Sequence, residues 1–192
     1  LARDVAVSGD WTYNSTSTFN AQTFKVAFVD WADSIFTAGS STYYTIENAK
    51  PGSQVLTISG QATTTNLVVS SGDNMNGGTL NVLGGITVTN TGGYGGTLTI
   101  NINGTSTQTL SSAGWGFPNI NINKSSGTLY LSGTIPIAGN WTWQSGTVDA
   151  QTSTLKFIGW NNSTLTAGPA TYYSIEVAKS SGDYGLILGS NL

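Results

Sequence analysis

Asp30 and Asp33 are the most closely spaced carboxylates in the sequence, and a pair of carboxyl groups is the minimum for acid and base catalysis of glycoside hydrolysis. The chain has no His and no Cys, so Ser-His-Asp and Cys-His triads, ordinary zinc sites and disulfides are all excluded. Arg3 is the single arginine, which leaves the clustered acids and strong base of a polysaccharide lyase unmatched. We therefore predict that the chain is not an enzyme and that it has no catalytic, cofactor-binding or metal-binding residues.

Aromatic residues are the second group of candidate functional residues, because flat rings pack well against the C–H faces of sugars. The candidate residues for glycan stacking are Trp11, Trp31, Trp141, Trp143 and Trp160. Trp141 and Trp143 are two residues apart, which would place both rings on one face of a strand. The alternative is that these rings stack between neighbouring repeats and stabilise the fold.

Six asparagines occupy the N-x-S/T pattern that accepts N-linked glycans. These candidate glycosylation sites are Asn14, Asn103, Asn123, Asn140, Asn161 and Asn162. Thr, Ser and Asn together make up 69 of the 192 residues, so composition alone generates many such triplets. A surface of this composition is well hydrated even without glycans.

The charge of the chain is low, with 6 basic and 9 acidic residues and a net charge of −3. Such a weak field does not hold a phosphate backbone, so we expect no nucleic-acid partner. The longest apolar runs are about five residues, far short of the ~18 that a membrane helix needs, so we expect no membrane insertion. A Cys-free chain rich in Thr and Asn fits an extracellular or cell-surface location.

Apolar and polar residues alternate through most of the chain, as in Leu98, Ile100 and Ile102. This period of two is typical of half-buried strands. Turn signals such as Pro51-Gly52 and Gly84-Gly85 separate the runs. The sequence therefore predicts an all-β protein with little helix.

An internal repeat occupies residues 9–60, 108–133 and 139–192 of what we predict to be a single domain covering residues 1–192. Lys50, Lys124 and Lys179 hold equivalent positions, 74 and 55 residues apart. The two spacings differ by 19 residues, about one coil of a parallel β-helix. We predict a right-handed parallel β-helix, or β-solenoid, of about nine coils. The alternative is an array of Ig-like β-sandwiches, which would require a more even repeat near 90–100 residues.

Comparison of the copies separates charged residues that recur in the repeat from those that do not. Asp30 and Asp33 are replaced by Gly159 and Asn162 in the later copy, so the acidic pair is not repeated. The acidic and aromatic segment 29–33 is therefore a candidate contact surface of the first copy. Glu47 and Glu176 precede Lys50 and Lys179 by three residues, which predicts weak exposed ion pairs.

Several phrases resemble the Gly/Thr-rich β-solenoid repeats of large bacterial cell-surface proteins and filamentous adhesins. They are Gly139-Asn140-Trp141-Thr142, Gln108-Thr109, Phe117-Pro118-Asn119-Ile120-Asn121-Ile122-Asn123-Lys124 and Ser126-Gly127-Thr128-Leu129-Tyr130-Leu131-Ser132-Gly133. The resemblance covers nearly the whole chain and marks architecture rather than activity. It implies a secreted or cell-surface stalk, fibre or adhesin segment.

The two ends of the sequence lie inside a repeat, with residues 186–192 similar to 129–133 and residues 5–11 similar to 135–141. A solenoid without caps leaves backbone donors and acceptors unpaired at both ends. We therefore expect a structural filament or stalk subunit that pairs with itself head to tail as a homopolymer. The alternative function is a glycan- or surface-binding adhesin segment that uses exposed Trp and Tyr side chains.

Overall fold

The computed structural model describes residues 3–14 and 19–189, and in these ranges it consists of strands and turns. The described strands are β1 (Val5–Val7), β2 (Trp11–Thr12), β3 (Lys25–Phe28), β4 (Ser34–Thr37), β5 (Thr42–Ala49), β6 (Leu56–Ser71), β7 (Met75–Val82), β8 (Ile86–Val88), β9 (Thr99–Ile102), β10 (Gln108–Leu110), β11 (Asn119–Leu131), β12 (Thr134–Ile137), β13 (Trp141–Asp149), β14 (Thr154–Phe157), β15 (Ser163–Thr166), β16 (Ser174–Val177) and β17 (Leu186–Leu188). Within these ranges there is no helix that could cross a membrane.

Every recorded strand pair is parallel, and the chain winds as a β-solenoid of about nine turns. The predicted all-β parallel β-helix is confirmed. The alternative array of Ig-like sandwiches is wrong, because a sandwich is built from antiparallel sheets.

Three register ladders define three faces of the solenoid. Face 1 carries the inward residues Val5, Val26, Ile46, Leu67 and Ile86 and, farther along, Gln108, Leu129 and Val148. Face 2 carries Phe36 and Ile58 and, farther along, Phe117, Ile137, Phe157 and Val177. Face 3 carries Ala62, Leu80, Ile100, Ile120, Trp141, Leu165 and Leu188. Strand β6 crosses face 2, face 3 and face 1 in that order, which is the path of one coil.

The core is a stack of alternate residues from these three faces. Leu80, Ile100 and Ile120 are buried and lie directly over one another in successive coils. Their neighbours in sequence point outward, which is why the period of two in the sequence corresponds to burial. Each strand therefore buries one set of apolar side chains and exchanges backbone hydrogen bonds with the coils on either side.

Asp and Asn side chains extend the hydrogen bonding at the turns between strands. In eight cases a side-chain oxygen accepts the backbone N–H of a residue one coil ahead, at 2.8–3.0 Å. The acceptors are Asp4, Asp10, Asp33, Asn66, Asn76, Asn119, Asn140 and Asn162. These residues supply partners where the regular ladder is interrupted.

An asparagine ladder crosses three coils on the outer side of face 3. Asn101 Nδ2 donates to Asn81 Oδ1 at 2.7 Å, and Asn121 Nδ2 donates to Asn101 Oδ1 at 3.0 Å. Such a ladder fixes the register between coils, because a slip by one residue would break each amide contact.

The internal repeat rotates around the solenoid. Lys50 follows a strand of face 1, Lys124 follows the first part of β11 on face 3, and Lys179 follows a strand of face 2. The repeat therefore recurs after a non-integral number of coils. Equivalent residues lie on different faces but keep their strand pairing, since Val26 pairs with Ile46 and the equivalent Leu155 pairs with Ile175.

Close approach of successive coils requires glycine at Gly78. A Cβ at this position would lie 1.7 Å from the carbonyl oxygen of Gly60 in the preceding coil. We expect Gly78→Ala to lower the free energy of unfolding by about 3 kcal/mol, because two backbones must move apart. Gly92→Ala is the matched control, since a Cβ there meets no atom within 4 Å. Urea denaturation of both variants measures the difference, and equal midpoints would contradict this account of the stacking.

Candidate functional site

The side chain of Lys124 is buried, and its ammonium group lies among oxygen atoms of the preceding coil. Its Nζ donates to the carbonyl oxygens of Gly104 at 2.5 Å and Ser106 at 2.9 Å, and to Gln108 Oε1 at 2.6 Å. Gln108 in turn donates to two backbone carbonyls of the coil before it. Burial lowers the pKa of the Lys124 ammonium, and the three oxygens are what allow the charge to be buried at all.

Lys50 and Lys179 repeat this arrangement at the other two faces. Lys179 Nζ donates to the carbonyl oxygen of Ile158 and to Ser163 Oγ, both at 2.6 Å, and burial lowers its pKa. Lys50 Nζ donates to the carbonyl oxygen of Ala32 at 2.5 Å and forms an ion pair with Asp30. Each of the three lysine side chains thus links its coil to the preceding coil, and we call these residues the lysine plugs.

Asp30 and Asp33 have structural roles of different kinds. The hydrogen bond from Lys50 holds the pKa of Asp30 below its ordinary value, and Asp33 accepts the backbone N–H of Val55 at 2.8 Å. In the described part of the chain no three acidic, His or Cys side chains come together as a metal site.

The expected ion pairs of Glu47 with Lys50 and of Glu176 with Lys179 are wrong. Glu47 pairs with Lys25 at 2.6 Å, and Glu176 pairs with Lys156 at 2.9 Å. The physical reason is the alternation of side chains: each glutamate points outward to a lysine on the neighbouring coil, while Lys50 and Lys179 turn into the interior.

Two of the candidate stacking residues belong to a repeated Trp–Tyr contact. Trp11 Nε1 donates to Tyr43 Oη at 3.0 Å, and Trp141 Nε1 donates to Tyr172 Oη at 2.9 Å. Trp141 is fully buried between Ile120 and Leu165, so its ring is closed to ligands, contrary to the prediction. Trp11 is partly exposed because, within the described coils, a neighbouring strand covers it on one side only.

Trp143 also packs against the core, and its Nε1 donates to the carbonyl oxygen of Gly146 at 2.9 Å. Trp31 and Trp160, by contrast, are 77% and 58% exposed. They occupy equivalent turns of the first and last copies, on different edges of the solenoid. Trp160 shares a groove with Tyr94, which is 51% exposed and which the sequence did not single out.

The sequon asparagines are mostly at the surface. Asn14, Asn123, Asn140, Asn161 and Asn162 are exposed, whereas Asn103 is partly buried and its Nδ2 donates to Asn81 Oδ1 at 3.3 Å. Residues 15 and 16, which complete the Asn14 sequon, lie outside the described residues. The hydroxyl that completes the Asn161 sequon belongs to Ser163, which is buried and accepts from Lys179.

The two outermost coils expose residues whose equivalents are buried in the interior. Leu188 is 53% exposed, whereas the equivalent Leu131 is fully buried. Val177 is 51% exposed, and the equivalent Asn48 is fully buried. In the described ranges β1, β2, β16 and β17 each pair with a neighbour on one side, so they form two open, partly apolar end layers.

Comparison of the chain with protein-family models, with curated proteins and with solved structures gave no match.

The Asp30–Lys50 pair predicts how stability depends on pH. Because the pKa of Asp30 is lowered in the folded state, its stabilising effect is present above the ordinary value of 3.8 and is lost as the pH falls through the folded-state pKa. Asp30→Asn should cost about 3 kcal/mol at neutral pH, since the buried Lys50 ammonium loses its countercharge. Urea denaturation at several pH values between about 7 and 2 measures both effects.

In this experiment the Asp30→Asn curve should be flatter in acid than that of the unmodified protein. Asp33→Asn is the control, because an amide oxygen still accepts the Val55 N–H and there is no lysine pair to lose. Parallel acid curves for the unmodified protein and Asp30→Asn would contradict the role of the pair.

Proposed function

We propose that this chain is a structural subunit of an extracellular filament or stalk, and that copies pair head to tail through the open end layers. The observation that carries the proposal is the apolar, unpaired strand edge at both ends of the described solenoid. Exposed strand edges of this kind template pairing with another chain.

The phase of the end strands supports a second copy as the partner. Strand β17 lies on face 3 and β1 lies on face 1, which is the face that follows face 3 along a coil. A copy placed on the β17 end therefore continues the winding in the correct order. The interior of the chain provides the precedent, since β11 ends on face 1 with Leu131 and is followed directly by β12 on face 2.

Exposure at the end layers supports the same arrangement. Trp141 is the interior equivalent of Trp11, and its ring lies between two coils and is fully buried. An identical molecule stacked on this end would cover Trp11 and the inward side of β1. At the other end it would cover Leu188 and Val177, so both faces of the contact are made from residues that the fold already buries elsewhere.

A mechanical role also fits the interior of the protein. The core is continuous along the solenoid. Neighbouring coils are joined by backbone hydrogen bonds, by stacked apolar side chains, by the Asp and Asn side chains that accept backbone N–H groups, and by the lysine plugs. Such a structure transmits load along its axis through many bonds in parallel.

Assembly is tested by a charge placed at the β17 end. Leu188 stacks on Leu165 and faces the open layer, so Leu188→Glu would bury an unpaired carboxylate on stacking. We expect the unmodified protein to form filaments one molecule wide by electron microscopy. The variant should need at least a tenfold higher concentration to do so in sedimentation assays.

Thr87→Glu is the matched control, because Thr87 is exposed on the outer side of β8 in the middle of the rod. It adds the same charge away from the ends and should assemble like the unmodified protein. Monodisperse short particles from the unmodified protein, or equal assembly of Leu188→Glu, would overturn the proposal.

A further inference from the structure

A groove of about 270 Å³ lies on the flank of the solenoid beside face 2. Tyr94 and Trp160 come from turns several coils apart and both line it, together with the side chains of Asn74, Asn76 and Asn161. The two rings are among the most exposed aromatic groups of the described chain, at 51% and 58%.

We propose that this groove binds a neutral sugar ring of a polysaccharide. Aromatic faces provide the apolar contact that suits the C–H face of a pyranose. Amide side chains provide both donors and acceptors for its hydroxyl groups. The volume is small compared with the ~300–1,000 Å³ of clefts for drug-sized ligands, which favours one ring of a chain that runs across the surface.

The charge of the lining selects a neutral ligand. None of the residues that line the groove is acidic or basic. The equivalent turn of the first copy carries Asp30 and Asp33, whereas this turn has Gly159 and Asn162. The replacement of a carboxylate by Gly159 also leaves space beside Trp160, since a Cβ there would meet only Ala138, at 3.7 Å or more.

Trp31 provides an internal comparison for this site. It is the repeat equivalent of Trp160 and is even more exposed, at 77%. Its turn contains the two acids, and it lies beside Gly52 on another edge of the solenoid. If exposure of a tryptophan were enough for binding, Trp31 and Trp160 would contribute equally.

The groove lies on the flank and uses neither end layer, so this inference does not rest on the proposed self-assembly. A molecule that binds polysaccharide along its flank and stacks at its ends would present the same site at regular intervals. Each property has its own variant: Leu188→Glu should leave sugar binding unchanged, and Trp160→Ala should leave assembly unchanged.

The test is affinity electrophoresis of the full chain in gels that contain soluble β-glucan, mannan or galactan, with alginate as the acidic comparison. We expect retardation by at least one neutral polysaccharide and none by alginate. Trp160→Ala and Tyr94→Ala should each weaken the binding at least tenfold, while Trp31→Ala should bind like the unmodified protein. Quenching of tryptophan fluorescence by the polysaccharide gives the same comparison in solution.

Both groove residues are exposed, so the variants should fold, and an unchanged urea midpoint verifies this. Failure of the unmodified protein to bind any of the three neutral polysaccharides would overturn the inference. So would an equal loss of binding in Trp31→Ala, or retardation by alginate alone.

Discussion

The pairing of each coil with the coil before it is the constraint on which the rest of the structure depends. A parallel strand pairs its backbone N–H and C=O groups with both neighbours, so every coil needs a partner above and below. Successive coils lie as close as a backbone allows, and Gly78 packs directly against the carbonyl of Gly60. Whatever cannot take part in the ladder must find another partner at the turns, and the polar residues of the chain are arranged to supply one.

The lysine plugs illustrate how the turns meet this constraint. A buried ammonium is costly, and it is tolerated where its donors are all satisfied. Lys124 meets this condition with three neutral oxygens, whereas Lys50 uses a carboxylate as well. The extra acid explains part of the unusual segment 29–33 of the first copy, because Asp30 neutralises Lys50 and Asp33 caps a backbone N–H. Acidic residues that invited a catalytic interpretation thus hold neighbouring coils together.

Equivalent residues of the repeat keep their strand partners but differ in exposure and in the residues of the adjoining turns. Of two equivalent tryptophans, Trp141 is a core residue and Trp11 is part of an end layer. The same exposed turn carries acids beside Trp31 and a neutral groove beside Trp160. Under the two proposals above, copies of one repeated phrase supply a core, a contact for another molecule and a ligand surface. This economy is possible because all of the repeats stack in one way.

The sequence by itself determined that the protein is a stack of parallel coils. Alternation as in Leu98, Ile100 and Ile102 indicates which side of each strand faces inward. The spacings of Lys50, Lys124 and Lys179 indicate the length of a coil. Both properties can be read from the sequence because both are periods along the chain. Tertiary structure decided which equivalent residues are buried and which meet: Trp141 went to the core, the expected Glu47–Lys50 pair became Glu47–Lys25, and Tyr94 joined Trp160 in one groove. The physical reason is that the direction of each side chain and the stacking of coils bring together residues that are far apart in the sequence, and no local period of the sequence records these contacts.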